Sequence, residues 1–124
     1  MALKPPKIIK DNRGTLAAPL FDLGETGEVM YSSILPGCLR GNHYHKVKTE
    51  YLCVVAGRAK VRMRQVETDE KKEFEVTGDK LENIEVLPFW THSLENIGEE
   101  EMRYIEYANR PFNPVTPDSF SEEV

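Results

Sequence analysis

A chain of 124 residues can build one modest hydrophobic core and is too short for two domains. A formal net charge of −5 excludes a general nucleic-acid binder, which needs a basic surface, but leaves room for a small anion held by a few local Arg or Lys residues. No run approaches the roughly 18 apolar residues of a membrane span, and "MALKPPKIIK" lacks the apolar core of a signal peptide, so a cytoplasmic protein is expected.

In chain order, residues 1–12 read as an N-terminal arm. "DNRGTLAAPLF" reads as a turn followed by a short strand, and "GEVMYSSIL" as a strand ending at "PG". "EYLCVV" is apolar on both faces after Glu50 and reads as a strand covered on both sides. Ala56–Gly57 makes a turn. "AKVRMRQV" then puts Ala59, Val61 and Met63 on one face and Lys60, Arg62 and Arg64 on the other, the period-two pattern of a half-exposed strand. "ENIEVLPF", stopped by Pro88, "HSLENI" and "EMRYIEYA" complete the strands. No window gives an amphipathic helix. Many short strands with frequent turns imply an all-β sandwich or barrel. The tail, residues 110–124, holds three prolines in "RPFNPVTPDSF" and cannot be a central strand. It is expected to lie extended, anchored by Phe112 and Phe120. Cys38 and Cys53 match no zinc or redox spacing and are expected as free thiols.

The segment "RGNHYHKVKTE" carries the chemistry. His43 and His45, two apart on a strand, share a face. Glu50 has the wrong parity for that face unless a turn in "KVKT" resets it. Two imidazoles and a carboxylate are then a ligand set for a divalent metal. His92 is the one histidine left in the chain.

Gly37, His43, His45, Glu50 and Gly57 reproduce the first cupin motif, G-x5-HxH-x4-E-x6-G. His92 and Asn96 match the His and Asn of the second, although Trp90 stands where that motif has glycine and Pro88 is one residue nearer the histidine. The chain thus resembles the cupin superfamily. From about Asp11 onward it is similar to the C-terminal cupin domain of bifunctional capsular-polysaccharide enzymes acting on UDP-linked 4-keto-6-deoxy-hexosamines, whose own pattern is PxWTH. The resemblance implies a double-stranded β-helix (jelly-roll barrel) spanning residues 1–124 as a single domain. It implies a metal held by His43, His45, Glu50 and His92. Zinc is the expected metal, with nickel, iron or manganese as alternatives. It also implies epimerisation at C3, beside the C4 ketone of a nucleotide sugar. The family's reductase half has a nucleotide-binding fold; no glycine-rich dinucleotide fingerprint occurs here, so a separate reductase is an expected partner.

The base is not identified by the motifs. Tyr44, Lys48, Glu95, Tyr104 and Glu106 lie near the motifs or on the last strand, and Lys48 and Tyr104 are taken as catalytic candidates. Arg40, Arg62, Arg64 and Arg103 are candidates for a diphosphate, with Lys46 beside them. Trp90 is a candidate for stacking on a base or sugar. The ordinary alternative for each is surface or packing. The rival functions are a non-catalytic metal-binding cupin and an Fe(II)-dependent oxygenase. The apolar outer face of "YLCVV" also predicts a two-fold homodimer, with the N-terminal segment or the tail near the interface.

Overall fold

The computed structural model describes residues 2–124. Eleven strands follow in order: β1 Ile8–Asp11, β2 Gly14–Asp22, β3 Glu28–Ile34, β4 Leu39–Tyr44, β5 Glu50–Ala56, β6 Arg58–Gln65, β7 Lys71–Thr77, β8 Asn83–Val86, β9 Trp90–Asn96, β10 Met102–Ala108 and β11 Phe120–Ser121. They form two antiparallel sheets, ordered β1-β2-β3-β10-β5-β8 and β11-β4-β9-β6-β7. This is the expected all-β jelly-roll barrel. Among the described residues the one helical element is a 3-10 turn at Gly24–Thr26.

Alternation decides which side chains enter the barrel. On β6, Ala59, Val61 and Met63 point inward and are buried. They pack with Ile34, Leu52, Val54, Leu94 and Met102 in one apolar cluster. Burying a side chain such as Val61 or Leu52 contributes about 2 kcal/mol. The inward row is not apolar throughout. On β5 it changes from Glu50 to Leu52 and Val54, and on β9 from His92 to Leu94. One end of the barrel is therefore a buried polar cluster and the rest supports it.

Four expectations change. β5 is not covered on both sides: Tyr51 and Val55 are 38% and 39% exposed, so its outer face is open in this chain. β7, "KKEFEVT", is an extra strand that charge conceals; only Val76 of it is buried. A third of the expected N-terminal arm is strand β1, zipped to β2. In the tail, Phe120 is an anchor, stacked 5.4 Å from the Tyr44 ring, whereas Phe112 is largely exposed. Cys38 and Cys53 are free thiols, as expected.

Candidate metal centre

The site begins with a defect in β4. The β4–β9 register shifts between Gly41 and His43, and Asn42 sits at φ 58°. Gly41 has φ 117°, and a Cβ there would lie 2.4 Å from the His92 carbonyl oxygen. Only glycine lets β4 come this close to β9. The bulge re-aims the strand so that His43 lies opposite His92. The loop after β4 then carries the chain to the other sheet. Glu50, the first residue of β5, thus approaches the histidines from the next strand, as a turn in "KVKT" requires, and that strand lies in the facing sheet.

His43, His45, Glu50 and His92 each offer one ligand atom, all within 4.8 Å of one another. The ring centroids of His43 lie 5.1 Å from His45 and 4.8 Å from His92. His45 Nδ1 is 2.5 Å from the Asp118 carbonyl oxygen, and His92 Nδ1 is 3.2 Å from that of Trp90. A carbonyl only accepts, so each Nδ1 carries a proton and each Nε2 is left as the atom that can ligate. Both Nε2 atoms face Glu50 Oε1, at 2.7 Å from His45 and 3.5 Å from His92. His45 Nε2 and Glu50 Oε1 are buried and have no hydrogen-bond partner. At this separation the pair needs positive charge, either a proton on Nε2 in the metal-free chain or a cation bound between or beside the two atoms. The donor set, N3O from three imidazoles and a carboxylate, suits a divalent transition metal.

The electrostatics agree. Burial, then the neighbouring His92 and His45, lowers the His43 pKa to about 4. Burial also lowers that of His92. Both imidazoles are neutral near pH 7, as ligands must be. Burial acts to raise the Glu50 carboxyl, but the His45 contact and nearby charges outweigh it and hold it well below the ordinary range. Glu106 is the opposite case: burial and the Glu50 charge push it well above its ordinary value. The two carboxyls are hydrogen-bonded, with Glu50 the charged partner.

The remaining sequence candidates separate into two groups. Lys48 is buried with Nζ 3.9 Å from Glu50 Oε2, beside the centre. It also lines a cavity of about 500 Å3 that Arg110, Phe112, Asp118 and Val47 border at the barrel mouth. Tyr104 and Arg40 lie inside the barrel. Burial raises the Tyr104 phenol. Arg40 Nε donates to the Ser33 carbonyl at 3.2 Å, and its Nη2 is 3.8 Å from Asp11. The others are not brought to the centre. Arg62 pairs with Glu95 at 2.8 Å and Glu73 at 3.6 Å on the outer face of β6. Arg64 pairs with Asp69 and Glu122, and Arg103 with Glu101. Even-numbered residues of β6 face out, which is why Arg62 and Arg64 cannot reach the interior. Trp90 turns its indole to a groove with Met63, Phe74 and Leu87, under the Lys72 ammonium. Lys46 lies over the Phe120 ring, and Tyr44 packs between Phe89 and Phe120.

Asn96, the last motif residue, is no ligand. Its amide donates to the carbonyls of Ile34 at 2.7 Å and Glu100 at 2.8 Å, and its Oδ1 accepts from Gly98 N–H at 2.9 Å. It closes the turn after β9. Asp118 was invisible to sequence reasoning: an aspartate in a Pro-rich tail carries no signal that it meets residue 45.

Residues 9–120 match the family described as Polysaccharide biosynthesis C-terminal domain. The chain belongs to that family. Within it, the chain is 34% identical over 111 residues to the UDP-2-acetamido-2,6-beta-L-arabino-hexul-4-ose reductase of Pseudomonas aeruginosa, covering 90% of this chain and 30% of the reductase. The capsular polysaccharide assembling protein CapF from Staphylococcus aureus superposes with a TM-score of 0.91 at 36% identity, covering 97% of this chain and 35% of CapF. The chain thus spans about a third of the length of these relatives. Oxalate decarboxylase from Lactobacillus farciminis shares the fold, with a TM-score of 0.75 at 22% identity over 94% of this chain and 33% of that one. This Polysaccharide biosynthesis C-terminal domain is a cupin-type barrel like the C-terminal domain of the capsular polysaccharide enzymes. Among the described residues no helix is long and apolar enough to cross a membrane.

Proposed function

We propose that this chain is a metal-dependent cupin that exchanges and inverts the C3 proton of a UDP-linked 4-keto-6-deoxy-hexosamine. The observation that carries the reading is the convergence of His43, His45, Glu50 and His92 beside Lys48, which also lines a neighbouring cavity. The name of the Pseudomonas relative specifies a UDP-linked hexul-4-ose, a sugar with its ketone at carbon 4. The hydrogen on carbon 3 is then α to a carbonyl.

His43, His45, Glu50 and His92 would hold a divalent ion, zinc by preference, which would supply Lewis acidity toward a ketone oxygen. The chain's own residues do the rest. Glu50 and the imidazoles Nε2 fix the polar end of the barrel. Lys48 Nζ is the group positioned to move a proton at carbon 3. The cavity bordered by Arg110 and Phe112 takes the nucleotide, Arg110 facing the diphosphate and Phe112 the base. Arg40 remains an interior positive charge behind Tyr104.

The test is incubation with the 4-keto sugar nucleotide in D2O, following carbon 3 by NMR. Deuterium should enter at carbon 3 without NAD(P)H, and exchange should collapse in His45→Ala and after chelation. Exchange no faster than in buffer, with the barrel folded and metal bound, would overturn the enzyme reading in favour of a binding module. Oxygen consumption with iron bound would instead favour the oxygenase.

A further inference from the structure

The Pro-rich tail is usually the part of such a chain least tied to its chemistry. Here it is bonded directly into the candidate centre. Asp118 makes four contacts across roughly seventy residues of sequence. Its carbonyl oxygen accepts from His45 Nδ1 at 2.5 Å, and its carboxylate accepts from the backbone N–H groups of Lys46 at 2.8 Å and of Val47 and Lys48 at 3.0 Å. The carboxylate therefore caps the loop that carries the chain from one sheet to the other. That loop begins at a proposed metal ligand, His45, and ends two residues past Lys48, at Glu50.

We infer that Asp118 is a positioning residue of the metal centre, which sets the His45 tautomer and holds Lys48 beside Glu50. The inference rests on reading the cluster as a metal site. Its physical content has two parts. A proton fixed on Nδ1 leaves Nε2 as the ligand atom, aimed at Glu50, so the ring is oriented before metal arrives. Three N–H groups fixed on one carboxylate hold the loop in a single conformation, so Lys48 need not be ordered when ligand binds. The tail beyond Asp118 has anchors of its own. Phe120 stacks on Tyr44, the Arg64 guanidinium donates to the Glu122 carboxylate at 2.9 Å, and the Thr91 hydroxyl donates to the Glu122 carbonyl. These contacts keep the tail docked from Phe120 onward, whereas the main-chain carbonyl of residue 118 is held against His45 by the grip of its own carboxylate on the loop, and the substitution releases that grip.

The experiment compares wild type, Asp118→Ala and Asp118→Asn, each in the full chain. The first readout is Zn2+ affinity by competition with a chromophoric chelator. Asp118→Ala should bind Zn2+ about 10- to 100-fold more weakly, the range seen for partners that orient metal-binding histidines. Asp118→Asn keeps an acceptor oxygen for the loop and should fall between the two. The second readout is the His45 tautomer in metal-free protein by 15N NMR. Wild type should hold the proton on Nδ1, and Asp118→Ala should mix the two tautomers. Wild-type Zn2+ affinity in folded Asp118→Ala, or a His45 tautomer unchanged by the substitution, overturns the inference. Should Asp118→Ala fail to fold, the same two readouts on Asp118→Asn decide it, unchanged values again overturning it. If wild type bound no Zn2+ while its His45 tautomer still depended on Asp118, the metal reading would fall and the positioning role would stand.

Discussion

His43 lies opposite His92 in the β4–β9 ladder, although 49 residues separate them in the chain, and their ring centroids are 4.8 Å apart. The pairing exists because Gly41 lets the two backbones close and the following bulge turns His43 inward. Each histidine should therefore be needed for the same ion. His43→Ala and His92→Ala should each lose metal, and the double variant should hold none by elemental analysis. Stoichiometric metal in the folded double variant would remove the centre from these residues.

Asn96 should be a structural residue. It is buried, and both of its amide contacts go to backbone carbonyls. Asn96→Ala leaves those carbonyls unpaired and should cost about 2 kcal/mol in urea unfolding. Metal stoichiometry should be retained. Loss of metal without loss of stability would mean that Asn96 acts on the centre.

The local part of the site was legible in the sequence because its spacing is local. His43, His45 and Glu50 fall within one turn-and-strand segment, so ligand chemistry pointed to all three and parity to the two histidines. What parity could not show is that the intervening loop changes sheets. β7 was hidden because Lys71, Lys72, Glu73 and Glu75 mask the alternation of an edge strand that buries little. Arg62 and Trp90 looked available by residue type, yet the strand period aims one outward and packing turns the other to a groove. Asp118 was illegible for a different reason: its role depends on where a Pro-rich segment docks, which residue periodicity does not encode.

The outer face of the β5–β10 pair should be a subunit interface. Tyr51, Val55 and Ile105 lie there at 38%, 39% and 40% exposure, on adjacent central strands. Such a row is costly to leave in water. Light scattering should give a dimer mass at micromolar concentration, and Ile105→Glu should give a folded monomer. A wild-type monomer at that concentration would refute the interface.

Metal-free protein should lose stability in acid through His43. Its folded pKa is about 4 against an ordinary 6.5. Between those values the unfolded chain takes up a proton that the folded chain does not. This contribution to stability is thus full above about 6.5 and lost as pH falls to about 4. It amounts to about 3 kcal/mol at most. Glu106, whose carboxyl is raised, works in the opposite direction, so the clean readout is a difference. Chelator-treated wild type and His43→Gln, unfolded in urea at several pH values, should diverge over this window. Parallel profiles would place the His43 ring in water.

Lys48 and Tyr104 were both candidates for moving the proton, and their positions predict different outcomes. Lys48 reaches Glu50 and lines the cavity at the barrel mouth. Tyr104 is buried deeper on β10, paired across the ladder with Ser32 and Val54. Lys48→Met keeps the length and apolar stem but cannot carry a proton. It should retain metal and lower carbon-3 exchange by about 100-fold or more, the usual worth of a positioned acid or base. Tyr104→Phe should retain metal, change exchange less than about tenfold, and cost about 1 kcal/mol of stability through the lost hydroxyl contact. The reverse pattern, with exchange abolished in Tyr104→Phe and intact in Lys48→Met, would assign the proton to the phenol. It would also require the sugar to enter deeper than the cavity reaches. Metal content measured on the same samples separates either result from loss of the ion, because neither side chain is one of the four proposed ligands.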